Sequence, residues 1–146
     1  MLAVLPLNQR SVSNDLTFGL ANENNVIQKL NRYFPDETIT STKELGLGAY
    51  CSYDAESENT MYEIKSRRCK YSTYPTTIVP IHKVKDINHK KLVFVFHFID
   101  GYYYIVYNQE LFDTFETKII KLNRAGINDN PTYHYYIPIS HLIEMM

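Results

Sequence analysis

The chain has 146 residues, of which 45% are hydrophobic and 21% are charged, and its formal net charge is −1. This length and composition predict one globular domain with a full core, spanning residues 1–146. No apolar run approaches the ~20 residues that a membrane span needs. The first residues, MLAVLPLNQR, lack a basic segment and are interrupted by Pro6, which predicts no signal peptide. We therefore expect an intracellular protein, in the cytoplasm or with the nucleoid or nucleus, that has no membrane partner.

Cysteine and histidine usage argues against a disulfide-stabilised protein and against a structural zinc site. The two cysteines, Cys51 and Cys69, are too few for a disulfide framework, so we expect reduced thiols. The five histidines show none of the paired Cys/His spacings of structural zinc sites. The function must therefore be sought in the other polar residues.

An apolar stripe near the start of the chain predicts the first helix, which Pro35 would end. Its members are spaced by 4, 7, 3 and 4 residues and are Leu16, Leu20, Ile27, Leu30 and Phe34. Alternating patterns then predict strands at 37–42 (ETITST), 49–54 (AYCSYD) and 61–67 (MYEIKSR), with a turn at 57–60 (SENT).

The second half of the chain predicts one more helix and several strands. Segment 73–90 is ambiguous, with a helix that would start at Pro80. A β-hairpin follows, KLVFVFHFI and YYYIVYN around the two-residue turn Asp100-Gly101. Further patterns predict a strand at 117–122, a loop at AGINDNP, a strand at 133–139, and a short terminal helix capped by Ser140. This order predicts an α/β or α+β domain with a central mixed β-sheet flanked by helices.

The first helix carries an anomaly. Between Leu20 and Ile27 the stripe calls for an apolar residue and contains Glu23. A charged, unpaired glutamate on a buried stripe costs several kcal/mol. Glu23 must therefore be paired, protonated, at the edge of the stripe, or bound to a cation. The ordinary alternative is a helix-edge glutamate that pairs with a nearby lysine.

Whether two further carboxylates, Asp54 and Glu63, meet depends on the length of the turn at 57–60. If this turn has even length, opposed positions sum to 117, and Asp54 faces Glu63; an odd turn puts Asp54 on the other face. Two opposed carboxylates repel each other unless a divalent cation or a shared proton lies between them, and Mg²⁺ takes such oxygen ligands. Lys65 shares a face with Glu63 and could orient a water or neutralise a phosphate, while the helix, lying against this face, would add Glu23. The ordinary alternative is the charged outer face of a two-stranded ribbon.

The order NENNVIQKL on a helix, YD at the end of a strand and YEIKS on the next strand resembles the PD-(D/E)XK nuclease superfamily over residues 14–108. Glu23 matches the acid of the first helix, Asp54 the motif's Asp, and Glu63 with Lys65 the (D/E)-x-K half, although Tyr53 stands where the motif has Pro. The resemblance implies a restriction-endonuclease-like core: a helix, an antiparallel meander of three strands, a helix and a further strand.

The resemblance also implies a chemistry, which is Mg²⁺-dependent (or Mn²⁺-dependent) hydrolysis of DNA phosphodiester bonds. Asp54, Glu63 and the backbone carbonyl of Ile64 would bind the metal, with Glu23 supporting the metal or its water. Lys65 would position the attacking water. Residues 109–146, with C-terminal strands and a short helix, lie outside the resemblance.

Positive charge is concentrated in one segment. Eight of the 15 Lys and Arg residues lie between Lys65 and Lys91, against one acid, Asp86. Such a patch can attract phosphates even on a neutral protein, although a solvated surface is the ordinary alternative. We predict contacts to the DNA backbone from Arg67, Arg68, Lys70, His82, Lys83 and Lys85. The resemblance also implies that the element after the (D/E)-x-K strand often contributes a polar residue to the site, for which Lys83 or His82 is a candidate.

Three functions remain open at this stage. The first is a structure-selective or weakly sequence-specific endonuclease or exonuclease, a possible homodimer if it cuts two strands. The second is a non-catalytic nucleic-acid-binding or scaffolding module of the same fold. The third is a subunit whose tyrosine-rich strands, GYYYIVY and TYHYYIPI, face a protein partner.

Overall fold

The computed structural model describes residues 12–46, 53–84, 90–120, 123–124, 127–128 and 131–146. Along the chain the elements are α1 (Val12–Tyr33), β1 (Thr40–Ser41), β2 (Ala55–Glu56), β3 (Thr60–Ser66), β4 (Thr76–Pro80), a 3₁₀ turn (Ile81–Val84), β5 (Lys91–Phe98), β6 (Gly101–Val106), α2 (Gln109–Phe112), β7 (Glu116–Ile120), β8 (Asn123–Arg124), β9 (Ile127–Asn128), β10 (Thr132–Pro138), a second 3₁₀ turn (Ile139–His141) and β11 (Ile143–Met145). Within these ranges, no helix has the length and apolar character to cross a membrane.

Six strands form a mixed sheet in the order β1-β2-β3-β5-β6-β11. The first three are an antiparallel meander, β5 runs parallel to β3, and β6 and β11 are added antiparallel. A parallel pair needs a crossover connection, which here contains β4 and the first 3₁₀ turn. The predicted α+β class and the central mixed sheet are confirmed.

Helix α1 forms as the apolar stripe predicts, and it ends two residues before Pro35. The fully buried residues Val26 and Leu30 are its contacts with the core. The side chains of Leu16 and Leu20, the first two members of the predicted stripe, lie outside the described part of the chain.

Helix α1 packs on the sheet face that carries Tyr62 and Ile64. Both residues belong to one buried cluster with Val26 and Leu30. Because alternate residues of a strand point to opposite faces, Glu63 points away from the helix. The expectation that α1 lies against the face of Glu63 is therefore wrong.

The other face of the large sheet is covered by a three-stranded sheet in the order β4-β10-β7. Phe94 and Phe96 of β5 pack there with Val79, Ile137 and Phe112, and all five are fully buried. In the described ranges, a long helix flanks the large sheet on one face only, whereas the prediction placed helices around it. The domain is thus layered as helix, large sheet and small sheet.

The hairpin predicted around Asp100-Gly101 is confirmed as β5 and β6. Phe98 pairs with Gly101, so the two-residue loop is Ile99-Asp100, one position earlier than predicted. The Asp100 carboxylate accepts a hydrogen bond from the Tyr71 N–H (2.9 Å), which ties this loop to the segment that follows β3.

Two connecting segments differ from their predictions. The helix expected from Pro80 is seen as a 3₁₀ turn over Ile81–Val84, because Pro80 ends β4 instead, and residues 85–89 lie outside the described part of the chain. Strand β4 is an edge strand, where a residue without an N–H is tolerated. The strand predicted at 49–54 falls mostly on residues 47–52, which lie outside the described part of the chain; Tyr53 and Asp54 form a bend, and strand β2 begins one residue later, at Ala55.

The C-terminal region contributes strands to both sheets. Strands β7 and β10 confirm the predictions at 117–122 and 133–139, while the predicted AGINDNP loop contains β9, which pairs with β8. The predicted terminal helix is wrong, because Ser140 lies inside a 3₁₀ turn without a side-chain cap and the chain continues as β11. Strand β11 then pairs with β6 at the edge of the large sheet.

Candidate active site

The turn between β2 and β3 fixes the register of the site. It spans residues 57–60, and Ala55 pairs with Tyr62. Paired positions therefore sum to 117, as an even turn requires. The pairing ends at Ala55, because the N–H of Asp54 also bonds to the Tyr62 carbonyl, so Asp54 does not continue this register to face Glu63 directly. Its charge is still near enough to act on Glu63.

The backbone of Asp54 is fixed on both sides. Its N–H donates to the Tyr62 carbonyl (3.0 Å), and its carbonyl accepts from the Thr42 N–H (2.9 Å) and hydroxyl (3.0 Å). Its carboxylate Oδ2 accepts a hydrogen bond from the Ile64 N–H (2.8 Å). Because the N–H and C=O of a strand residue point to the same side, the Ile64 carbonyl also points towards Asp54. The Asp54 carboxylate and the Ile64 carbonyl thus lie on the same side of β3, just before the first residue of β2.

Glu63 is a buried carboxylate, with 3% of the residue exposed. Its Oε1 lies 3.2 Å from the Lys65 ammonium and 3.4 Å from the Lys83 ammonium. Burial raises the pKa of Glu63, and the charge of Asp54 raises it further, while Lys65 and Lys83 oppose this shift. The ionised form of Glu63 is thus less stable than that of a solvent-exposed glutamate, even beside two ammonium groups.

The second oxygen of this carboxylate, Oε2 of Glu63, is buried and has no hydrogen-bond donor among the described residues. A buried acceptor without a partner costs ~1–3 kcal/mol, and more when it is charged. Such atoms are rare in folded proteins, and an ion or an ordered water is a frequent reason for them. Oε2 is therefore the atom at which a further ligand is expected.

Glu23 is paired as the ordinary alternative expects. Its carboxylate lies 3.1 Å from the Lys43 ammonium, and no ion pair or hydrogen bond joins it to Glu63 among the described residues. Burial raises the pKa of Glu23 and the charge of Asp54 adds to this, while Lys65 lowers it. Glu23 is therefore within electrostatic range of Asp54 and Lys65, at the margin of the site.

A second Glu-x-Lys pair in the chain shows what an ordinary strand surface looks like. Glu116 and Lys118 of β7 lie 3.4 Å apart, and their side chains are 66% and 55% exposed. The side chains of Glu63 and Lys65 are only 4% and 24% exposed. The same three-residue pattern thus occurs once in solvent and once in a buried, carboxylate-rich setting.

Arg67 was predicted to contact DNA, and the structure shows it partly buried against β4. Its Nε donates to the Thr77 hydroxyl (3.2 Å) and its Nη2 to the Ile78 carbonyl (2.6 Å). The guanidinium also lies over the Phe96 ring, 5.7 Å from the centroid. Arg67 therefore joins β3 to β4.

The other predicted DNA contacts differ in exposure. Lys70 and His82 are exposed, Arg68 is partly buried, and Lys85 lies outside the described residues. Lys83 is paired with Glu63, so it belongs to the candidate site rather than to an outer patch. The resemblance had suggested Lys83 or His82 as a polar residue of the site, but not the partner of Lys83, because the ambiguous segment 73–90 gives no signal that would bring it to Glu63.

The described residues contain no group of three or more His, Cys, Asp or Glu side chains positioned to hold a metal ion. Asp54, Glu63 and the Ile64 carbonyl nevertheless suit Mg²⁺, which is commonly held by one or two carboxylates while water fills the remaining positions. The partnerless Oε2 of Glu63 supports this fit.

No protein-family model, curated protein or solved structure matches this chain. The resemblance to the PD-(D/E)XK superfamily therefore stays a prediction. Function must be argued from the geometry of the site.

Proposed function

We propose that the chain is a metal-dependent nuclease that hydrolyses DNA phosphodiester bonds. The observation that carries this proposal is Glu63, whose buried carboxylate lies within electrostatic range of Asp54, is ion-paired with Lys65 and Lys83, and has one oxygen without a partner among the described residues. A stabilising ion pair alone gives no reason to bury one oxygen without a partner.

The order of elements supports a restriction-endonuclease-like core. Helix α1, the antiparallel meander β1-β2-β3 and the parallel strand β5 follow one another as the resemblance implies. The crossover differs, because β4 and a 3₁₀ turn stand where a helix was expected. That 3₁₀ turn still delivers a polar residue, Lys83, to the site.

Asp54, Glu63 and the Ile64 carbonyl would hold a Mg²⁺ or Mn²⁺ ion, with Glu23 near enough to support it. When bound, such an ion polarises a phosphoryl oxygen and lowers the pKa of a water. The four charged groups of the site, two carboxylates and two ammonium groups, sum to zero when Glu63 is ionised. A divalent cation would therefore give the site a net positive charge, which suits a phosphodiester.

Lys65 has the position required to act on the reacting groups. Its ammonium lies beside Glu63 and remains partly exposed, so it can reach a ligand that enters from solvent. It can donate a hydrogen bond to the attacking water and thereby orient it. Its charge can also stabilise the negative charge that develops on the phosphoryl oxygens.

The test is DNA cleavage by the wild type and by matched variants. Supercoiled plasmid and single-stranded DNA are incubated with Mg²⁺, Mn²⁺ or EDTA. We expect cleavage with metal and none in EDTA, and a loss of at least ~100-fold in Glu63→Gln and Lys65→Ala. The exposed pair supplies the controls Glu116→Gln and Lys118→Ala, which should cleave like the wild type. Absence of cleavage with either metal, or equal rates in all four variants, would refute the proposal.

A non-catalytic nucleic-acid-binding module is the second candidate. The observation in its favour is that Lys65 and Lys83 already neutralise Glu63 through direct ion pairs. Such a module would bind DNA equally well in Mg²⁺ and EDTA and leave it intact. Gel shifts run beside the cleavage assay separate the two functions.

A further inference from the structure

A cavity of about 250 Å³ lies directly beyond the strand that carries Glu63 and Lys65. Its walls come mainly from segment 67–78, and they include Arg67, Tyr71 and Tyr74. Arg67 follows Lys65 by two positions, which corresponds to ~7 Å along an extended strand. The cavity is therefore a neighbour of the candidate active site and separate from it.

Arg67 brings a positive charge to this cavity without a negative partner. Its two hydrogen bonds go to the neutral acceptors Thr77 and Ile78, and no carboxylate of the described residues is ion-paired with it. Two of the five N–H groups of a guanidinium are thus used, and three remain. Burial lowers the pKa of Arg67, which shows that its charge is poorly solvated. A desolvated guanidinium with spare donors matches the shape and charge of a phosphate.

The aromatic walls suit a flat ligand. Tyr71 is held in place, because its ring stacks on Tyr103 at 4.1 Å and its hydroxyl donates to the Ile139 carbonyl (2.8 Å). Tyr74 is 63% exposed, so its ring is available for stacking. The cavity volume equals that of about eight water molecules and lies just below the range of drug-sized pockets. One planar heterocycle is an occupant of suitable size.

We propose that this cavity binds one nucleotide of the strand to be cut, with the phosphate on Arg67 and the base against Tyr74. This inference rests on the proposed function and narrows its substrate class. A base inside a duplex cannot reach such a cavity without being unstacked. The substrate is therefore DNA with an unpaired nucleotide beside the cut, as in single strands, frayed ends and branches.

The test is binding in EDTA, where no cleavage can interfere. The probes are dTMP, thymidine and inorganic phosphate, followed by a short single-stranded oligonucleotide and the same sequence as a duplex, all titrated by calorimetry. We expect dTMP to bind more tightly than either of its parts, and the single strand more tightly than the duplex. Tyr74→Ala should weaken binding of dTMP and of the single strand at least ~5-fold, as loss of one base-stacking contact does.

Matched controls separate the cavity from general effects. Tyr133→Ala removes a tyrosine of similar exposure (56%) on β10, and Arg32→Gln removes an exposed arginine of α1, so both should bind like the wild type. Arg67→Gln should abolish the preference for dTMP over thymidine. If it unfolds, as circular dichroism would show, Tyr74→Ala still decides the matter, because Tyr74 is exposed.

The outcomes also separate this inference from the proposed function. Nucleotide binding that depends on Tyr74, without DNA cleavage in any metal, would support the proposed nucleotide site in the cavity and refute the proposed nuclease activity. Cleavage by a protein whose nucleotide binding ignores Tyr74 would support the nuclease and overturn the cavity. Equal affinity for single strand and duplex would overturn the cavity as well.

Discussion

Replacement of Asp54 separates its structural contact from its chemical role. The Asp54 carboxylate accepts the Ile64 N–H at 2.8 Å, and Ile64 is only 8% exposed. Asp54→Ala leaves this N–H without an acceptor, whereas Asp54→Asn keeps an oxygen in its place. Both variants remove the same negative charge beside Glu63, so the difference between them isolates the hydrogen bond.

The expected magnitude follows from the cost of an unpaired buried donor, ~1–3 kcal/mol. For a chain of this size, 1 kcal/mol changes the melting temperature by ~2–4 °C. We therefore expect Asp54→Ala to melt about 2–12 °C below Asp54→Asn in EDTA. Asp54→Asn should melt within a few degrees of the wild type.

Thermal unfolding followed by circular dichroism measures this difference, and the cleavage assay follows the chemistry. Both variants should lose at least ~100-fold in cleavage, because neither retains the negative charge of the proposed metal ligand. Equal melting temperatures of Asp54→Ala and Asp54→Asn would refute the structural contact. Wild-type cleavage by Asp54→Asn would refute the role of Asp54 as a ligand.

Three further predictions concern metal affinity and the core. Because burial raises the pKa of Glu63, its carboxylate takes up a proton at a higher pH than an ordinary glutamate. Mn²⁺ affinity measured by calorimetry should therefore begin to fall above the pH range in which an exposed glutamate titrates, and constant affinity down to that range would contradict this. Lys83→Ala removes a cation that lowers this pKa and should shift the fall to higher pH, whereas a similar shift in the exposed control Lys118→Ala would point to a general charge effect. Phe112→Ala should lower the free energy of unfolding by ~3–5 kcal/mol, because the ring is fully buried between the two sheets. A decrease below ~1 kcal/mol, measured by urea unfolding, would show that this packing is wrong.

Elements whose signal is local could be predicted from the sequence. The stripe of α1 and the hairpin of β5 and β6 each depend on neighbouring residues, and both are confirmed. The even turn at 57–60 also lies within one hairpin, so the pairing of Ala55 with Tyr62 could be stated in advance as a condition. The further step to Asp54 and Glu63 could not, because the pairing ends where the Asp54 N–H also bonds to the Tyr62 carbonyl.

Elements that depend on distant partners could not be predicted. Pro80 suits both the first turn of a helix and the end of an edge strand, and the pairing of β4 with β10, more than fifty residues away in the chain, decides for the strand. Helix α1 packs on one face of the large sheet because the small sheet packs on the other. Nothing near α1 in the sequence indicates that cover.

The position of Arg67 was within reach of the sequence. Alternation in the strand puts Arg67 on the same face as Glu63 and Lys65. Whatever covers Glu63 on this face should therefore also cover part of Arg67. Charge density gave the opposite expectation, because it counts cations without regard to the face they occupy. The resemblance suggested Lys83 or His82 for the site, but its pairing with Glu63 had no local signal, since the 3₁₀ turn that carries Lys83 lies in a segment without clear periodicity.

The central claim is that the buried carboxylate of Glu63 is a metal ligand rather than one half of a structural ion pair. The most direct measurement is a crystal structure of the wild type soaked in Mn²⁺, with the ion located by its anomalous scattering. The account predicts a peak in contact with the carboxylates of Asp54 and Glu63, and a Lys83 ammonium that has moved beyond its 3.4 Å distance from Glu63 Oε1. Saturating Mn²⁺ that leaves this position empty, with Lys65 and Lys83 still paired to Glu63, would contradict it.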